Sequence, residues 1–113
     1  MMKIKLDKTD STVIKSNETY DVIDNTNLKN LVVSKTILHA GKQTSGHNHT
    51  GQEEVYIFIK VEVTMIVGTN TFEVKAGDTI LIPDGDFHQV HNTGFYAEDD
   101  LEFICVFDGG RNH

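Results

Sequence analysis

The chain has 113 residues, with 10 Lys and Arg against 17 Asp and Glu and a formal net charge of -7 at pH 7. A chain of that length can bury roughly two-thirds of the surface its unfolded form exposes, so one core is expected, with no room in these residues for a second domain. The negative charge and the lack of any Lys/Arg cluster exclude recognition of a phosphate backbone, and neither nucleic acid nor an anionic membrane is an expected partner.

At the N-terminus, Met1-Met2-Lys3-Ile4-Lys5-Leu6-Asp7 carries charge where a signal peptide has an apolar stretch, and no apolar run reaches the roughly 18 residues a spanning helix needs. A cytoplasmic protein is expected. Residues 1–30 are the more polar part. Lys3 to Leu6 and Thr12 to Lys15 read as edge strands and Glu18 to Ile23 as a single turn, together packing on the barrel or on a partner subunit. From residue 31 onward, stretches rich in Val, Ile, Thr, Phe and Tyr alternate with Gly, Asn and Asp, the pattern of short strands and tight turns. The spacing predicts strands over Leu31 to Ala40, Ser45 to His49, Glu54 to Val67, Thr71 to Val74, Thr79 to Ile82, Phe87 to Asn92 and Leu101 to Phe107. Turns are predicted at Gly41, Thr50-Gly51, Gly68-Thr69-Asn70, Ala76-Gly77-Asp78, Pro83-Asp84-Gly85 and Asn92-Thr93-Gly94. Residues 31–107 thus read as the barrel and 108–113 as a frayed tail. With no sustained helical period after residue 31, the fold class is all-β, a barrel or sandwich. The single cysteine, Cys105, sits in Phe103-Ile104-Cys105-Val106-Phe107 and reads as a small core hydrophobe.

The chemistry-bearing residues cluster around two turns. Alternate side chains of a strand share a face, so His47 and His49 point the same way with Asn48 opposite. Glu53 and Glu54 follow the Thr50-Gly51 turn and return a carboxylate to that region, and His88 heads a strand after the Pro83-Asp84-Gly85 turn. Imidazole and carboxylate together suit Mn, Fe, Co, Ni or Zn, although each histidine taken alone reads equally as a surface polar residue. His91 has the opposite parity to His88 and is expected to face away from it. His39 and His113 have no metal rationale.

Two runs resemble the motifs of the cupin family. Gly41-Lys-Gln-Thr-Ser-Gly-His47-Asn-His49-Thr-Gly-Gln-Glu53-Glu54 is similar to the first, a Gly followed after five residues by His-x-His and then by Glu. Gly77-Asp-Thr-Ile-Leu-Ile-Pro83-Asp-Gly85-Asp-Phe-His88-Gln-Val-His91-Asn92 matches the second at every defined position. The first motif ordinarily ends in Gly where this chain has Val61, so the turn made there is expected to be lost or reshaped. The resemblance covers about residues 31 to 107. It implies a double-stranded β-helix of the jelly-roll type with one divalent metal ion (Mn, Fe, Ni, Co or Zn) held by His47, His49, Glu54 and His88. The looser spacing of the motif admits Glu53 in place of Glu54. By parity, Tyr56 and Phe58 line the pocket below the metal, with one face of Phe103-Cys105-Phe107, and Gln43 and Ser45 are the polar groups placed to meet a ligand. Tyr56 is the one candidate for a catalytic role.

Three imidazoles and a carboxylate leave two positions open on an octahedral ion, as in a catalytic site. The expected function is a metal-dependent isomerase, epimerase, lyase or dioxygenase acting on a small-molecule ligand, an oxygenated metabolite such as a sugar derivative or carboxylic acid. The competing reading is a non-catalytic binding or sensing module using the same pocket. A storage or purely structural role fits poorly, because cupins of that kind usually carry two such domains. Homodimerisation is implied by the resemblance.

Overall fold

A computed structural model describes residues 5–7, 11–46, 48, 52–60, 63–92 and 99–108 of the chain. The described residues form nine strands and no helix: β1 (Thr12–Ser16), β2 (Tyr20–Asn25), β3 (Leu31–Leu38), β4 (Glu54–Lys60), β5 (Val63–Val67), β6 (Asn70–Val74), β7 (Thr79–Ile82), β8 (His88–His91) and β9 (Leu101–Asp108). They make two antiparallel sheets, one ordered β1-β2-β3-β9-β4-β7 and the other β6-β5-β8.

Period-two alternation decides which side chains are inside. In β3 every second residue is buried, Val32, Ser34, Thr36 and Leu38, and β9 repeats this with Leu101, Phe103, Cys105 and Phe107. The smaller sheet answers with Val63, Met65 and Val67 of β5 and Val90 of β8, so the core is continuous across both sheets. Its aromatic centre is Phe58, which lies 5.4 Å from Phe103 and 6.4 Å from Tyr56 between ring centroids. Fully burying one such ring is worth about 1.5–3 kcal/mol of transfer free energy.

The sequence reading and the structure differ at four places. Residues Glu18 to Ile23 are not a single turn: Asn17 Oδ1 accepts from the backbone N–H groups of Thr19 and Tyr20 at 2.8 and 2.9 Å, and this tight turn launches β2. Asp21, Asp24 and Asn25, poor strand formers, hid the strand, yet they pair in full register with β3 because neighbouring strands override weak local preference. A strand over Ser45 to His49 is absent among the described residues of that stretch, where Gln43 makes an isolated bridge to His91. Backbone and side-chain bonds tie the segment before it to β8: Thr44 N–H donates to Val90 O at 2.9 Å, Thr44 Oγ1 accepts from Val90 N–H at 3.0 Å, and Gln89 Nε2 donates to Thr44 O at 2.9 Å. At Gly46 a Cβ would meet the tip of the Phe87 ring, so the two segments approach closely there and a larger residue would displace that ring. The single strand expected from Glu54 to Val67 is two, β4 and β5, which belong to different sheets. Val61 between them lies outside the described residues, as do Lys3, Ile4 and His113; Lys5 and Leu6 form no strand.

Candidate metal and ligand site

Glu54 opens β4, paired on one side with Ile82 and on the other with Phe107. Its neighbour Glu53 is exposed, whereas Glu54 is turned inward and only 4% exposed. His88 opens β8 and is 2% exposed. The turn before it is closed by Asp86 N–H donating to Pro83 O at 3.1 Å and depends on Gly85 at φ 80°, a left-handed backbone that glycine adopts without strain.

Two contacts orient the His88 ring. Tyr56 meets it edge to face, with centroids 5.6 Å apart and an interplanar angle of 79°, while stacking on Phe103 at 5.2 Å. His88 Nδ1 lies 3.1 Å from the backbone carbonyl of Asp86. A carbonyl can only accept, so Nδ1 carries the proton in that bond and the neutral ring presents a lone pair at Nε2. That Nε2 lies 3.7 Å from Glu54 Oε1, beyond direct hydrogen-bond range.

This arrangement suits a cation. Two donors, each about 2.1 Å from one ion, stand roughly 3.0–3.4 Å apart at octahedral or tetrahedral angles, and the observed pair needs only a few tenths of an ångström of adjustment. An imidazole whose far nitrogen donates to a backbone carbonyl is the usual arrangement of a metal-ligating histidine. Nitrogen and carboxylate oxygen suit first-row divalent metals. His47 and His49 lie outside the described residues, so of the four expected ligands Glu54 and His88 are the two whose positions are described. Among the described residues, no group of three or more His, Cys, Asp or Glu side chains could hold a metal ion.

Glu54 lies on the wall of a cavity of about 440 Å³. Tyr56, Phe103, Cys105 and Phe107 form its inner wall, and Ser34, Thr36, Thr44 and Ser45 line it with hydroxyls. Of the four residues proposed for ligand contact, Ser45 and Tyr56 line this cavity. Phe58 is 1% exposed and packed behind Tyr56 and Phe103 in the core, and Gln43 is engaged with His91 rather than with the cavity wall. The strand-like parity assumed for Gln43 and Ser45 fails there because the segment forms no strand. His91, half-buried, bonds Gln89 Oε1 through Nε2 at 2.9 Å, and His39 sits between Asp21 and Asp100 at 3.6 and 3.3 Å. Asn92, last residue of the second motif, is 1% exposed and donates to Leu38 O and Asp99 O at 3.1 and 2.9 Å, fastening β3 to the segment leading into β9.

Sequence reasoning missed the contribution of β1 and β2, which supply Ile14, Lys15, Tyr20 and Val22 to the cavity. Ser34 and Thr36 were also missed. Two hydroxyls at the inward positions of a strand otherwise filled with Val and Leu were a readable sign of a polar cavity rather than a dry core.

Residues 34–107 match the cupin domain family. An uncharacterized protein of Methanocaldococcus jannaschii is 33% identical over 73 residues, covering 65% of this chain and 56% of that protein. The oxalate-binding protein of Thermotoga maritima is 32% identical over 69 residues, covering 61% and 54%. The matches thus span little more than half the length of these relatives. Among solved structures, a predicted oxalate decarboxylase from Thermotoga maritima superposes with a TM-score of 0.73 at 22% identity, over 95% of this chain and 98% of that one. The two-sheet, all-β architecture is therefore the double-stranded β-helix, and the chain belongs to the cupin family.

Proposed function

We propose that this chain is a metal-dependent enzyme of the isomerase, epimerase, lyase or dioxygenase type. It acts on a small oxygenated metabolite and holds one divalent ion (Mn, Fe, Ni, Co or Zn) through Glu54 and His88 together with His47 and His49. The observation that carries this reading is the buried Glu54–His88 pair, a carboxylate oxygen facing an imidazole nitrogen at 3.7 Å beside a cavity of about 440 Å³. That volume is within the range of small-molecule sites. When bound, the ion supplies Lewis-acid polarisation of a ligand oxygen. Glu54 brings the charge that offsets the cation, Asp86 O keeps the His88 lone pair on Nε2, and Tyr56 restrains the imidazole and is the candidate proton-transfer group. The Ser34, Thr36, Thr44 and Ser45 hydroxyls match a polar, oxygen-rich ligand, and one relative is named for binding oxalate.

A binding module would use the same cavity without turnover. Metal-loaded protein incubated with small hydroxycarboxylates and sugars and followed by proton NMR separates the two: new product resonances are expected, and a ligand that binds but stays unchanged after prolonged incubation would replace the enzyme reading with the binding one.

Two copies are proposed to pair through the outer face of the larger sheet. Ile57, Ile59 and Leu81 there are 36%, 44% and 55% exposed, and the register places Leu81 opposite Val55 on the same face. A contiguous apolar patch of this kind marks an association surface. The wild-type protein is expected to sediment as a dimer and the double variant Ile59→Lys, Leu81→Lys as a folded monomer. A wild-type monomer at micromolar concentration would remove this proposal.

A further inference from the structure

The β1–β2 hairpin forms one side of the cavity, and its register decides which side chains reach inside. Val13 pairs with Ile23 and Lys15 with Val22, leaving Ile14 as an extra residue between them. In an unbulged ladder Ile14 would stand opposite Val22 and Lys15 opposite Asp21, which would send the lysine to the other face of the sheet. The bulge instead places Lys15 on the face of Val22 and Tyr20, both of which line the cavity. Lys15 Nζ donates to the Tyr20 hydroxyl at 3.1 Å and lies 5.4 Å from the centroid of that ring. Among the described residues no carboxylate pairs with this ammonium group. Lys15 is exposed, so the pair stands at the cavity mouth, and Ser34, Thr36 and Thr44 line the same cavity.

We propose that Lys15 is the anion-recognition residue of this cavity and that the cavity takes a small hydroxylated carboxylate, its carboxylate at Lys15 and Tyr20 and its hydroxyls at Ser34, Thr36 and Thr44. The inference rests on the cavity being the ligand site of the activity proposed above. An acidic chain repels anions at long range, and an ammonium group at the cavity mouth gives an incoming carboxylate a local partner. The Tyr20 hydroxyl serves as a second donor and holds the flexible lysine in place, which reduces the ordering cost on binding.

Calorimetric titration of gluconate, and of sorbitol as its uncharged counterpart, into manganese-loaded and metal-free protein tests this in the wild type, Lys15→Met and Lys15→Arg. The wild type is expected to prefer gluconate by about 10–100-fold, the scale of a hydrogen bond to a charged group. Lys15→Met is expected to lose that preference and Lys15→Arg to keep most of it, with manganese uptake the same in all three. A wild type that does not distinguish gluconate from sorbitol, or a Lys15→Met protein that binds gluconate as well as the wild type, overturns the proposal. Normal manganese uptake with a gluconate affinity that does not depend on Lys15 defeats this inference alone; a Lys15-dependent preference for gluconate in protein that takes up no metal defeats the metal reading and leaves this one standing.

Discussion

Phe58→Ala is expected to lower the free energy of unfolding by about 3–5 kcal/mol, a large share of the roughly 5–15 kcal/mol available to a domain of this kind. Phe58 is 1% exposed and lies against Phe103 and Tyr56, so truncation leaves a void that the surrounding strands fill only in part. The consequence reaches the site. Tyr56 stacks on Phe103, and Phe103 rests on Phe58, so a collapse at Phe58 tilts the ring that restrains His88. Chemical denaturation of the purified variant measures the loss. Phe58→Leu, which keeps most of the volume, is expected to cost less, and equal losses for both variants would contradict the account, because they would mean that the filled volume contributes nothing.

The second large effect concerns the buried pair. Glu54→Ala and His88→Ala are each expected to weaken binding of a divalent ion by at least about 100-fold, since removing even a group that only orients a ligand costs 10–100-fold. Glu54→Gln preserves shape but removes the charge and is expected to fall with the alanine variants, whereas Glu53→Gln, altering an exposed neighbour, is expected to bind as the wild type does. Competitive titration with a chromophoric chelator reads all four. Equal affinities in Glu53→Gln and Glu54→Gln would contradict the placement of Glu54 as ligand.

Most of the fold was legible because its strands are amphipathic in the simplest way. The inward positions of β3 and β9 alternate with polar or half-buried ones, and the glycine-bearing turns at Gly68, Gly77 and Gly85 fall between hydrophobic runs. Strand β2 was not legible, because Asp21, Asp24 and Asn25 are poor strand formers and gain their conformation from pairing with β3. The inward turn of Glu54 followed from parity along β4 once the strand was set, but the shared parity of Gln43 and Ser45 did not carry over, because the segment meets the β8 edge only through an isolated bridge at Gln43 and the bonds of Thr44 and forms no strand over its described residues. Nor could pattern reveal the bulge at Ile14. A bulge shifts every later residue of its strand to the opposite face, and only the paired register puts Lys15 on the face of Tyr20 and Val22, at the mouth of the cavity.

The central claim, a divalent metal held by Glu54 and His88, is tested most directly by thermal unfolding of metal-free protein with added Mn, Fe, Co, Ni or Zn, run beside Glu54→Ala and His88→Ala. A ligand at a hundredfold excess over its Kd stabilises the native state by about 2.7 kcal/mol, a rise on the order of 10 °C in a domain of this size. The wild type is expected to show that rise with at least one of the five metals and both variants to show none. A wild type unmoved by all five, or variants stabilised as much as the wild type, would contradict the claim.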